Sequence, residues 1–180
     1  MTKNLYFDTD CMSAFLWVNG EDILTRLFPG KVILPIQVYH ELCHPSVPHF
    51  KGKINKLLAH HLIFVQEIVT GTQEYQLYYQ LAFSPPKGEP VLGKGEAAVI
   101  ALAKKHNGII ASSNFTDVGK FARKFGLDLI GTADILVVAF QQGLIDEAAG
   151  NSIWSAMVAR KRRMPGTSFT EYLHTVGISD

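Results

Sequence analysis

At 180 residues the chain has the length of one ordinary domain, so it should carry one site rather than two independent catalytic units. With 47% hydrophobic and 18% charged residues, it can bury about 70% of the surface its unfolded chain exposes, which excludes a disordered or fibrous protein. Lys+Arg 17 against Asp+Glu 16 leaves a formal charge of +1, which excludes a histone-like or polybasic role and leaves only local patches for nucleic acid.

The chain opens on a strand-like run, Asn4–Phe7, followed by a helical pattern. Val32–Leu34 repeats the arrangement, with Pro35 near the first turn of the next helix. Cys43–Gly95 holds Pro45, Pro48, Pro85, Pro86 and Pro90 and is too long for a simple connection, with helical spacing around Ile54–His60 and Thr72–Leu81. Within it, His61–Ile68 is a candidate fifth strand, although Ile54 to Val65 also fits one continuous buried helix. A helix over Glu96–His106, closed by Asn107-Gly108, precedes a strand at Gly108–Ala111. The segment Val118–Phe125 ends at Gly126, Leu129–Ile130 is the last strand, and Thr132 is placed to cap the helix after it. A short helical tail, Phe169–Val176, follows Pro165-Gly166.

Strand alternating with helix predicts an α/β fold: a central parallel sheet of about five strands flanked by helices on both faces. The expected organisation is one domain over 1–180, with an atypical insertion at about 45–92 and a short tail at about 167–178. The apolar stretch Ile135–Ile145 contains Gln141, Gln142 and Gly143 and falls short of the roughly 18 apolar residues of a membrane span. Acids in Met1–Asp10 interrupt any signal-peptide core, and Cys11 and Cys43 are the only cysteines, so a cytoplasmic location is expected.

In such a fold the carboxyl edge of the sheet is where ligands bind. Asp8 ends the first strand, where a charge on a buried apolar run is costly unless something uses it. Glu41 lies in the helix after Pro35 and leans back towards the same edge. Glu96 starts a helix on the stripe of Val99, Ile100 and Ala103 that must face the sheet, and the turn Ser112–Asp117 adds Asn114 and Asp117. Clustered carboxylates repel one another, and one or two hard divalent cations, magnesium or manganese, resolve the conflict. Two such ions suit in-line displacement at a phosphodiester. Each acid also has a plainer role: Asp8, Glu96 and Asp117 suit helix starts, and Glu41 suits a surface ion pair.

These residues resemble a known family. Phe7-Asp8-Thr9-Asp10-Cys11-Met12-Ser13-Ala14 is similar to the opening motif of PIN-domain ribonucleases. In the same order, Leu34-Pro35 to Tyr39-His40-Glu41-Leu42 resembles the second-acid helix, Gly93-Lys94-Gly95-Glu96 through Ala103 the third-acid helix, and Ser113-Asn114 to Asp117 the fourth motif. The resemblance implies a PIN-like three-layer fold and a metal-dependent endoribonuclease with magnesium or manganese held by Asp8, Glu41, Glu96 and Asp117. It also implies an RNA substrate and a homodimer. Many small members resembling VapC are toxins neutralised by an antitoxin protein. Asn114, which stands where many members carry a further Asp, is a fifth catalytic candidate that would orient a ligand or the metal-bound water, and Asp10 stands where the family often has Asn or Ser. Asp10, Ser113 and Thr132 are auxiliary candidates.

Other readings compete. His40-Glu41-Leu42-Cys43-His44 matches the H-E-x-x-H pattern of zinc hydrolases, although Pro45 pushes His44 away from helical geometry. A noncatalytic binding module would keep the sheet and use the acids for packing or for a partner protein. Lys120, Arg123 and Lys124, just past Asp117, are candidate RNA contacts, and Arg160-Lys161-Arg162-Arg163 is either a solvated helix end or a second basic contact. Tyr75, Tyr78 and Tyr79 are candidates for base stacking or for packing.

Overall fold

Leu5, Tyr6 and Phe7 are each fully buried, as a strand requires when both faces of its sheet are covered by helices. They form β1 (Leu5–Phe7), the middle strand of the computed structural model, which describes residues 3–178. The first two and last two positions of the sequence lie outside the described residues. β2 (Val32–Pro35) flanks β1 on one side and β4 (Ile109–Ala111) on the other, both parallel, with Leu5 opposite Val32 and Ile109. β3 (Phe64–Gln66) extends the sheet from β2, and β5 (Leu129–Ile130) extends it from β4, giving the order β3-β2-β1-β4-β5. This is the expected parallel three-layer α/β sheet.

The two readings of the 54–65 stretch separate at one residue. Helix α4 (Pro48–Ala59) stops before His61, whose φ of 54° lies in the left-handed region, and the chain then turns into β3. Helices α1 (Thr9–Trp17) and α2 (Glu21–Leu27) connect β1 to β2. Helix α3 (Ile36–Leu42) follows β2 directly, with Pro35 as its N-cap. Helix α5 (Gln73–Phe83) packs along α6 (Lys94–His106), whose Ala97–Ala103 run is buried all round because the sheet, α3 and α5 surround it. Helices α7 (Asp117–Phe125), α8 (Thr132–Gln141), α9 (Glu147–Ala159) and α10 (Phe169–Thr175) complete the chain, with α8 and α9 both touching α10.

The expectation that Thr132 caps the helix after β5 is corrected. Gly131 is the N-cap of α8, and its N–H donates to Asp134 Oδ2 at 2.8 Å. Thr132 is the first helical residue, and its hydroxyl instead pairs with Ser113 Oγ at 2.9 Å.

The topology decides where a site forms. The chain leaves β1 for β2 on one side and later returns to β4 on the other, so the crevice beyond their carboxyl ends is the switch point at which parallel α/β sheets bind ligands. Asp8 follows β1 and Ser112 follows β4 at this crevice.

Candidate active site

Asp8 is 2% exposed. Its Oδ1 accepts the Cys11 N–H at 2.7 Å, so it caps α1 as the plainer reading expected. That bond does not compensate its surroundings. Burial, foremost, pushes its carboxyl up from 3.8 to about 7; hydrogen bonds from Ser112 and Cys11 pull it down in part, while the negative charges of Asp10 and Glu96 raise it further.

Glu41, near the C-terminus of α3, accepts a hydrogen bond from the Thr9 hydroxyl and approaches the first turn of α6. A Cβ added at Gly95 would lie 3.0 Å from Glu41 Oε2 and 3.2 Å from Thr9 Oγ1. Any larger residue here would press on both side chains, which would have to shift by a few tenths of an ångström. Glu96 is held at both oxygens: Oε2 accepts the Gly93 N–H at 3.1 Å, and Oε1 accepts Asn114 Nδ2 at 2.8 Å. Asn114 in turn accepts the Asp117 N–H on Oδ1 at 3.0 Å and donates its own N–H to Ser112 Oγ at 3.1 Å. An amide suits this position because it donates to one carboxylate while accepting from the next helix start.

Two adjoining recesses result, sharing Asp10 and Glu96. The smaller, about 250 Å³, is lined by Asp8, Thr9, Asp10, Glu41, Gly95 and Glu96 among others. The larger, about 690 Å³, includes Glu96, Ser113, Asn114, Asp117 and Thr132. The structure therefore brings Asp8, Glu41 and Glu96 into one recess and places Asp117 with Glu96 in the other. Asp10 points outward with its side chain 81% exposed and pairs with Arg162 Nη1 at 3.3 Å. Among the described residues, Asp8, Glu41, Glu96 and Asp117 form no ion pair.

The basic residues distribute differently from the expectation. Lys120, Arg123 and Lys124 are exposed on α7 and do not line either recess. Lys124 pairs with Glu89 at 2.6 Å. Lys161, Arg162 and Arg163 line the larger recess, and Arg160 stacks on Trp17 at 4.9 Å from the ring centre. The sequence left these cations as one of two readings, since nothing local ties them to residues so far away in the chain. Tyr78 is buried, and the α5 tyrosines lie outside both recesses. Phe115, Thr9 and Ser112 are the side chains at the site that the motif reading passed over. The polar run after a buried strand was the available signal for Ser112.

The H-E-x-x-H reading is corrected. α3 ends at Leu42, so His40 and His44 do not share a helix, and His44 Nδ1 engages Ser46 Oγ at 2.7 Å.

A family model described as a PIN domain matches residues 5–177. The chain belongs to the PIN-domain family. The match takes in the whole sheet and all four acids of the candidate site, and a PIN domain is a nuclease-type fold suited to nucleic acid. No curated protein matches the chain. Among the described residues, no helix is long and apolar enough to cross a membrane.

PIN-domain nucleases typically use divalent metals, and the donors here agree in chemistry. All are carboxylates, the hard oxygen ligands that magnesium and manganese prefer. Asp8 carries the uncompensated cost that a cation beside it would relieve. Among the described residues, no three His, Cys, Asp or Glu side chains are gathered as a ligand set. Glu41 is held by Thr9 and Glu96 by Gly93 and Asn114.

Proposed function

We propose that this PIN-domain protein is a magnesium- or manganese-dependent endoribonuclease, and that Asp8, Glu41, Glu96 and Asp117 are the residues that hold the metal. The observation that carries the reading is Asp8: a buried carboxylate at the sheet's switch point, raised to about 7, in a recess that it lines with Asp10, Glu41 and Glu96 and to which no lysine or arginine contributes. Such a shift at a cleft marks a group that the fold keeps for use. When bound, the metal would supply an activated water and charge stabilisation at the phosphodiester. The chain's own residues do the positioning. Thr9 orients Glu41, and Gly93 and Asn114 fix both oxygens of Glu96. Asn114 also anchors the start of α7, which presents Asp117. Ser113 and Thr132 pair across the floor of the larger recess, and Asp10 carries Arg162 at its rim.

On the same resemblance, we read the chain as one domain with an elaborated 45–92 segment and as the toxin of a toxin–antitoxin pair, homodimeric and cytoplasmic, with a protein antitoxin as partner. Purified protein should cut a mixed single-stranded RNA pool with manganese and not with EDTA. Asp8→Asn should lower the rate by about a hundredfold or more. If wild-type protein neither cuts nor binds manganese by calorimetry, the nuclease reading fails and the noncatalytic binding module takes its place.

A further inference from the structure

The larger recess has a wall that the acids do not explain. Phe115 stands on the loop between β4 and α7, directly after Asn114, and is 51% exposed. Its ring is nevertheless seated: a Cβ added at Gly131 would lie 2.8 Å from the ring's Cε2 and Cζ, so the ring edge lies directly on the Gly131 backbone. Single exposed apolar residues are ordinary on protein surfaces. What distinguishes this one is the recess it lines together with Lys161, Arg162 and Arg163. Lys161 and Arg163 are exposed and form no ion pair among the described residues, and Lys161 sits at a φ of 59°, where the chain turns sharply out of α9.

A half-exposed aromatic ring and unpaired cations around one cleft are complementary to an unstacked base and its flanking phosphates. We propose that this recess is a nucleotide subsite, in which the Phe115 ring stacks a base of single-stranded RNA and Lys161 and Arg163 contact the adjoining phosphates. Arg162, already paired with Asp10, ties that cationic segment to the first turn of α1 and so sets its distance from the acids. The subsite rests on the ribonuclease reading and adds to it the residues that would seat one base and its phosphates beside the acids.

The test is cleavage of a single-stranded RNA carrying 2-aminopurine, followed in manganese, together with the fluorescence of that base under excess protein. Phe115→Leu should raise KM by about tenfold with kcat unchanged and should abolish the quenching that wild type produces. Phe115→Trp should restore both. Arg163→Ala should raise KM and leave the quenching in place. Phe115→Leu protein that cuts with wild-type KM and still quenches the base overturns the subsite while leaving the nuclease intact. Wild-type protein that neither cuts nor quenches overturns the nuclease reading, and the subsite with it.

Discussion

The carboxyl of Asp8 does two jobs that a single substitution separates. As an N-cap it needs only an acceptor, which asparagine supplies as well as aspartate. As a charge it is costly, because burial first, and then Asp10 and Glu96, raise it from 3.8 to about 7. Between those pH values the folded protein keeps a proton that the unfolded chain has released, so stability falls as pH rises from about 4 to 7 and stays low above that. A difference of this size corresponds to about 4 kcal/mol. In urea unfolding with EDTA present, Asp8→Asn should match wild type near pH 4 and exceed it at pH 8, losing most of the acid-side slope. Parallel stability curves across this range would show that Asp8 is no more than a cap. Gain of stability with loss of cutting is the combination expected of a group retained for chemistry.

At the scale of elements, the cationic wall depends on how α10 docks. Asn151 Oδ1 accepts the N–H groups of Phe169 and Thr170 at 3.1 and 3.3 Å, and Tyr172 donates to Asp134 Oδ1 at 2.6 Å. These bonds hold α10, and the Arg162–Asp10 pair holds the chain just after α9, so the segment between them, whose residues 161–164 line the larger recess, is tied near each end. Gly150 makes the dock possible: an added Cβ would lie 2.2 Å from Phe169 Cδ1. Gly150→Ala should therefore push α10 off α9, costing about 1–3 kcal/mol in thermal or urea unfolding. It should also weaken RNA cutting through KM, because the clamped segment loosens. Unchanged stability would mean that the Phe169 ring swings aside without moving the helix. The same elements show the reach of sequence reading. β1, β2, β4 and β5 were legible because each is a short apolar run bounded by a turn signal, and Asp8 and Glu96 because they interrupt apolar patterns at strand or helix ends. β3 was ambiguous because its edge position leaves Phe64 39% exposed, which blurs the period that separates strand from helix. Thr132 was misread as a cap because the competing glycine cap and the Ser113 partner are visible only in three dimensions.

Across the whole molecule, charge is nearly balanced at +1, so affinity for RNA cannot come from a general field and must come from where the cations gather. Asp10 and Arg162 meet across 152 positions of sequence, a contact that no local pattern announces, whereas Lys120, Arg123 and Lys124 were conspicuous by proximity to Asp117 and lie outside the cleft. The balance makes the electrostatic footprint countable. If Lys161 and Arg163 each neutralise one phosphate of a single strand, log K should fall with log salt at a slope of about −1.4, since each contact contributes roughly 0.7. Arg163→Ala should flatten that slope by about 0.7, whereas Lys120→Ala on the outer face of α7 should leave it as it is. Salt titrations of binding to a short single-stranded RNA, with the acids silenced by Asp8→Asn, give all three numbers. A slope that responds to Lys120 and not to Arg163 would move the RNA path off the α9–α10 segment and onto α7.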